Sequence, residues 1–367
     1  MINDRPMVLD TFCEVYDLLK PWADTEFWNL EEHISNKNLI PGAIYLIGRR
    51  QFLVNVNRIR QLVANNIIKI VLSNPAEGSD TLKTHCDQEF KITDLIKSKQ
   101  ILLIGGGDMD REWPCLQYDS FLPKLYDYDE NIASAARINE IYNKINKPYK
   151  FLFLNGRGRN HRRSIISRFL NSGLIHQSIW SNLDQANGPV KYLDPYYEVD
   201  QYQNRINIDT SETYVKHKLF NNEWGEIYLK PEPYIDTYFS VVTETVFNYP
   251  YSFRTEKIWK PIAIGHPFIA VANRGFYRDL RNLGFCTFGH VIDESFDLID
   301  NNQDRLERIM VVVEDLCQQD LAKFLDECYN VCKYNQQHLV KMRVKVRKEF
   351  PDRFFQFIEN FDQGIYC

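Results

Sequence analysis

No run of this 367-residue sequence is both long enough and uncharged enough to cross a bilayer. The longest nearly uncharged stretch, residues 261–273, is too short for that and contains two prolines. The opening residues, MINDRPMVLDTF, lack the succession of basic, apolar and small residues that marks a secretory leader, so a soluble cytoplasmic protein is expected. Charge of one sign is also missing. Lys and Arg number 44 against 49 Asp and Glu, a net charge of −5, which excludes a general attraction to nucleic acid or to anionic membranes. The eight cysteines, at 13, 86, 115, 286, 317, 328, 332 and 367, lack the paired spacing of a zinc site or a small disulfide framework. Cys328 and Cys332 stand one helical turn apart, yet no histidine or second pair completes four ligands nearby, so reduced thiols and no metal are expected. Internal repeats and low-complexity tracts are absent as well.

What is present is material for two cores. With 44% hydrophobic and 14% aromatic residues, a chain of this length is expected to form two domains. In the first third, apolar strands at 43–48, 67–75 and 101–108 alternate with helical segments, one of which carries Phe52, Val56, Ile59 and Val63 on a single face. Such alternation indicates a parallel sheet built from crossover units. A helix through Ile138, Ile141, Tyr142 and Ile145 stops before Pro148, and the domain boundary is placed there, with 1–147 on one side and 148–340 on the other. Residues 341–367 are expected to form a closing helix that packs back on the first domain. The second domain repeats the plan, with strands expected at 151–154, 238–245, 266–273 and 285–288 and a long helix from Asn302 to about Tyr334. Residues 180–237 show weak periodicity and give no element assignment.

The stretch FLFLNGRGRNHRRSIISRF (151–169) reads as strand, loop and helix, with Arg157, Arg159, His161, Arg162 and Arg163 at the junction and no acid among them. Ligands of open α/β sheets bind where carboxyl ends of strands meet amino ends of helices, so this loop is suited to an anion. Arginine makes planar two-pronged contacts to phosphate. Arg157, Arg159 and Arg168 also fit a solvated surface. GGGD at 105–108 runs at once into Trp113 and Pro114 and therefore misses the frame of a dinucleotide fingerprint. It reads either as a glycine turn closing a strand or as a loop that lends Asp108 or Asp110 as a base.

A second motif is SFRTEKIWKPIAIGHPFIAVA (252–272). Thr255 is a good N-cap, which sets Glu256 and Lys257 in the first turn of a helix whose free N–H groups favour an anion. Glutamate suits ribose hydroxyls and lysine suits phosphate. The alternative is an amphipathic helix with Ile258, Trp259 and Ile262 on the sheet and the two charges solvated. Pro261 predicts a kink or early break.

The order FSVVTET, RTEKIWKPIAIGHPFIAVA, GFYRDLRNLGF resembles the C-terminal half of the α1,3-fucosyltransferase family, glycosyltransferases of the GT-B class. The likeness covers roughly residues 150–300. It implies an α/β fold of two Rossmann-like domains whose parallel sheets face an interdomain cleft. It also implies an inverting, metal-independent transfer of sugar from a nucleoside-diphosphate donor, GDP-linked, to a glycan or other hydroxyl acceptor, with no resident cofactor. By motif, Glu256 would contact the donor ribose and Lys257 the diphosphate. Arg162 or Arg163 would share the diphosphate, and Glu244 and Arg254 would complete the donor site. Phe253 stands where the family has tyrosine, TET replaces Glu-Asn-Ser, and Pro261 interrupts a usually continuous helix. The acidic loops NPAEGSD and GGGDMD offer Asp108 and then Glu77 as the general base. The alternative functions are a non-catalytic sugar- or nucleotide-binding protein of this fold, an RNA-binding module using GRGRNHRR, and a phosphorylase or epimerase of the same two-domain class.

Overall fold

A computed structural model describes residues 5–107, 109–110, 112–127, 129–155, 159–182 and 229–364. The chain divides into two compact units, Met1–Pro123 with Arg343–Cys367, and Lys124–Met342. The second unit therefore begins ahead of the boundary expected at 148, and it takes in the helices Asp129–Ala135 and Ile138–Asn143. Side chains of these helices bond backbone of unit 2. Asn131 accepts from the Leu229 amide at 2.6 Å, Ser134 donates to the Leu229 carbonyl at 2.7 Å, and Tyr142 donates to the Gly265 carbonyl at 3.0 Å. Residues 343–367 group with unit 1.

Unit 1 is built on a six-stranded parallel sheet: β1 (Met7–Asp10), β2 (Thr25–Phe27), β3 (Ile44–Gly48), β4 (Lys69–Asn74), β5 (Ile101–Gly105) and β6 (Cys115–Gln117), in the order β2-β1-β3-β4-β5-β6. β3, β4 and β5 are nearly continuous apolar runs because both faces of the sheet are covered. Tyr45, Ile47, Ile70, Leu72 and Leu103 meet Phe52 and Ile59 of the helix Arg49–Ala64 on one face. On the other, Leu9, Leu46, Val71 and Leu102 meet Phe350, Phe354 and Ile358 from the last helix of the chain.

Unit 2 carries a four-stranded parallel sheet: β7 (Tyr149–Asn155), β8 (Ser178–Asn182), β9 (Thr237–Thr243) and β10 (Phe268–Val271), ordered β10-β9-β7-β8. The helix Asn160–Asn171 follows β7 and packs Phe169 edge-on against Phe151 and Phe153. This is the α/β architecture with two parallel sheets that the strand and helix alternation predicts, and it is compatible with a two-domain Rossmann-like arrangement.

Three local expectations fail. Residues 285–288, read as a strand, do not join a sheet. Phe285 and Phe288 are buried, but the backbone between them is satisfied by side chains: Asn335 bonds both the N–H and C=O of Cys286 at 2.8 Å, and Glu294 accepts from the Phe288 amide at 2.6 Å. The single long helix from Asn302 is two helices, Asn302–Leu316 and Leu321–Asp362. The second is opened by Asp320, whose carboxylate accepts from the amides of Ala322 and Lys323 at 3.1 Å. Finally, Pro261 does not bring the early break, one of its two expected effects: the helix Glu256–Ile264 continues through it and stops only at Gly265, in the left-handed region at φ +75°.

Candidate functional site

In unit 2 the chain runs from β7 outward to β8 and then returns to β9 on the other side of β7. The direction of winding thus reverses between β7 and β9, and open sheets of this kind bind ligands at that reversal, beyond the carboxyl ends of the two strands. The last residues of both strands are tied together: the Thr243 hydroxyl donates to Asn155 Oδ1 at 2.6 Å.

Glu244 follows Thr243 and is fully buried. Its amide donates to the Val271 carbonyl of β10 at 3.0 Å, which fixes the backbone. One carboxylate oxygen accepts the Thr255 N–H at 3.1 Å and the other accepts the Thr255 hydroxyl at 2.7 Å. The same hydroxyl oxygen accepts from the Lys257 amide at 3.3 Å and so caps the helix Glu256–Ile264. The donation runs one way, from helix amide to threonine to buried carboxylate. Burial pushes the Glu244 carboxyl above its ordinary value, Lys257 pulls it back, and the Glu256 charge adds to the rise.

Lys257 is half-buried, and its ammonium meets the Glu256 carboxylate at 2.5 Å and the Thr255 hydroxyl at 3.3 Å. Burial acts to raise the Glu256 carboxyl, but Lys257 and then Lys260 outweigh it, and the group is held below its ordinary value. An ionised carboxylate and an ammonium therefore sit side by side in the first turn, next to N–H groups that have no intrahelical partner.

The helix Asn160–Asn171 approaches from the other side. Arg162 donates through Nη2 to the carbonyls of Thr243 at 2.8 Å and Glu244 at 3.3 Å. His161 Nε2 donates to the Glu244 carbonyl at 3.0 Å, and its ring stacks on Phe247 at 5.0 Å. Since that carbonyl can only accept, the Nε2 proton is fixed. Burial, reinforced by the Arg162 charge, pulls His161 down to about 3. Arg162 falls to about 10, first through burial and then through Arg159, with Glu244 and Glu256 opposing.

The structure thus brings Glu244, Glu256, Lys257 and Arg162 together at the carboxyl end of β9. Arg163 is exposed on the same helix, and Arg254 is buried beside Thr255 in the chain. Of the acids expected in unit 1, Glu77 pairs with Arg49 at 3.8 Å, whereas Asp108 lies outside the described residues. Among the described residues no three metal-ligating side chains converge, and no helix is long and apolar enough to cross a membrane.

Sequence reasoning missed Arg305, which is fully buried. It donates to the carbonyls of Phe247 at 2.8 Å and Ala272 at 3.3 Å, tying the loops after β9 and β10 together, and its guanidinium lies 4.5 Å from the Phe247 ring. The signal was there: Arg305 stands four residues before Ile309 and seven before Val312, on the apolar face of its helix. Comparison with family models, curated proteins and solved structures returns no match.

Proposed function

We propose that the protein is a glycosyltransferase with a GT-B-like fold that takes sugar from a nucleoside-diphosphate donor, GDP-linked by preference, and passes it to a hydroxyl of a glycan. The observation that carries this reading is the pairing of Glu256 and Lys257 in a Thr255-capped first turn, set at the winding reversal of a parallel sheet. Cleaving a sugar from a diphosphate builds negative charge on the leaving group. An ammonium, a helix N-terminus and exposed guanidinium groups stabilise that charge when they are fixed beforehand. Lys257 serves the phosphates, Arg163 is assigned to the same diphosphate, and Glu256 accepts ribose hydroxyls. Arg162 acts at one remove, holding the carboxyl end of β9 in place. The general base is drawn from Asp108 or Glu77, and no divalent metal is required.

The test is a thermal-shift panel of GDP, UDP, ADP, CMP and NAD. A ligand at a hundred times its Kd stabilises the native state by about 2.7 kcal/mol, a shift of several degrees for a unit of this size. GDP is expected to give it. A response to NAD alone would overturn the reading. With a donor in hand, transfer should survive exhaustive EDTA; loss of activity restored by Mn²⁺ would overturn the metal-free mechanism.

A further inference from the structure

Unit 1 has its own winding reversal, between β1 and β3, since the chain passes from β1 to β2 and returns across β1 to β3. Asp10 ends β1 and Gly48 ends β3. The Asp10 carboxylate is fully buried and accepts the amides of Gly48 and Phe12, both at 3.0 Å. A Cβ on Gly48 would stand 3.2 Å from that carboxylate and 3.4 Å from the Phe12 carbonyl, so glycine lets the Phe12 loop lie against the start of the helix Arg49–Ala64. From the first turn of this helix Gln51 donates to the Trp28 carbonyl and accepts the Leu30 amide at 3.3 Å, which draws in the loop after β2.

The two loops held in this way each present an aromatic ring to solvent. Phe12 is 56% exposed and Trp28 66% exposed, although side chains of this size are ordinarily covered. Their backbones are neighbours, since the Thr11 amide donates to the Phe27 carbonyl at 2.9 Å. Next to them, Arg49 gathers charged and polar groups from two more segments: Glu77 at 3.8 Å from the loop after β4, and Glu89 at 3.4 Å and His85 Nε2 at 3.5 Å from the short helix His85–Glu89. Asn74, which ends β4, follows Ile70 and Leu72 on the face covered by Phe52 and Leu82. It is 3% exposed, and its amide nitrogen is buried without a hydrogen-bond partner. His85 Nδ1 is in the same condition.

We infer that this edge of unit 1 is a binding site for a neutral oligosaccharide. Exposed aromatic faces pack against the C–H faces of sugar rings, and planar carboxylate, guanidinium and amide groups match the donor and acceptor character of hydroxyls. Among the described residues the site has no spare positive charge: the single guanidinium of Arg49 faces two carboxylates, Glu77 and Glu89, and Asp10 already occupies the Gly48 amide. A phosphate or sulfate would meet these carboxylates, so an uncharged ligand is favoured. In the sugar-transfer reading this is the acceptor side, but the binding stands without that reading.

The experiment is a printed glycan array probed with the fluorescently labelled full chain, followed by titration of the best neutral oligosaccharide. Parent protein is expected to bind at least one neutral class. Phe12→Ala and Trp28→Ala, both at exposed positions, should each weaken it tenfold or more with unchanged melting. The array is probed without nucleotide, so a failed nucleotide panel and a failed array remain separate results. A blank array, binding confined to sulfated or phosphorylated glycans, or parent-like affinity in both aromatic variants would overturn the assignment.

Discussion

At the scale of single residues, two adjacent arginines divide between structure and ligand. Arg162 lies three and four places before Ile165 and Ile166 and seven before Phe169, so helical geometry turns it toward the core, where it meets β9 carbonyls. Arg163, one step round the helix, is exposed. We expect Lys257→Ala and Arg163→Ala each to weaken nucleoside-diphosphate binding by about tenfold to a hundredfold, the worth of a charge-assisted contact. Isothermal titration checks this, and parent affinity in both would sink the donor-site assignment. The buried histidines make a second prediction. His161 and His266 are both pulled to about 3 from an ordinary 6.5, chiefly by burial. As pH falls through 6.5 the unfolded chain takes up protons that the native rings refuse, so stability declines, and each ring adds about 1.4 kcal/mol per pH unit until its native value is reached. Urea titrations between pH 6.5 and 4 should show His161→Gln losing one such increment of slope. An unchanged slope would mean that His161 is already charged in the native state.

At the scale of elements, much of unit 2 was legible beforehand. The sequence reading placed strand, loop and helix at 151–169 and an N-cap at Thr255 because apolar periodicity and capping chemistry are local. It could not reveal that Glu244 accepts both polar groups of Thr255, since that contact spans eleven positions and depends on where a loop returns. It misread 285–288 for a related reason. A short segment bounded by two phenylalanines looks the same whether the backbone is bonded by a neighbouring strand or by Asn335 and Glu294. Whether Pro261 would end its helix was likewise a tertiary matter, and the actual stop is Gly265. A Cβ there would lie 2.2 Å from Ile138 Cδ1, at a positive φ that alanine resists. Gly265→Ala should therefore cost about 1–3 kcal/mol in chemical denaturation. Stability equal to the parent would show that the left-handed stop is dispensable.

At the scale of the whole molecule, unit 1 is discontinuous in sequence whereas unit 2 is one segment. Phe350, Phe354 and Ile358, which complete one face of the six-stranded sheet, arrive on the far side of all of unit 2. Each buried phenylalanine is worth about 3–5 kcal/mol, and a domain's total stability is only about 5–15 kcal/mol. Removing residues 343–367 should therefore unfold unit 1 and spare unit 2. Hydrogen exchange should become fast in Ile44–Gly48 and Ile101–Gly105 while Thr237–Thr243 stays protected; protection in all three would contradict this. The arrangement also sets a timetable for a chain emerging from the ribosome. The first 123 residues leave the exit tunnel with one side of their sheet bare, and they must wait, prone to wrong partners or in the care of a chaperone, while the later unit has all its parts and can fold first. The helix Leu321–Asp362 begins in one unit and finishes in the other, so the sheet of unit 1 can be covered on that face only after the chain has passed through the whole of unit 2.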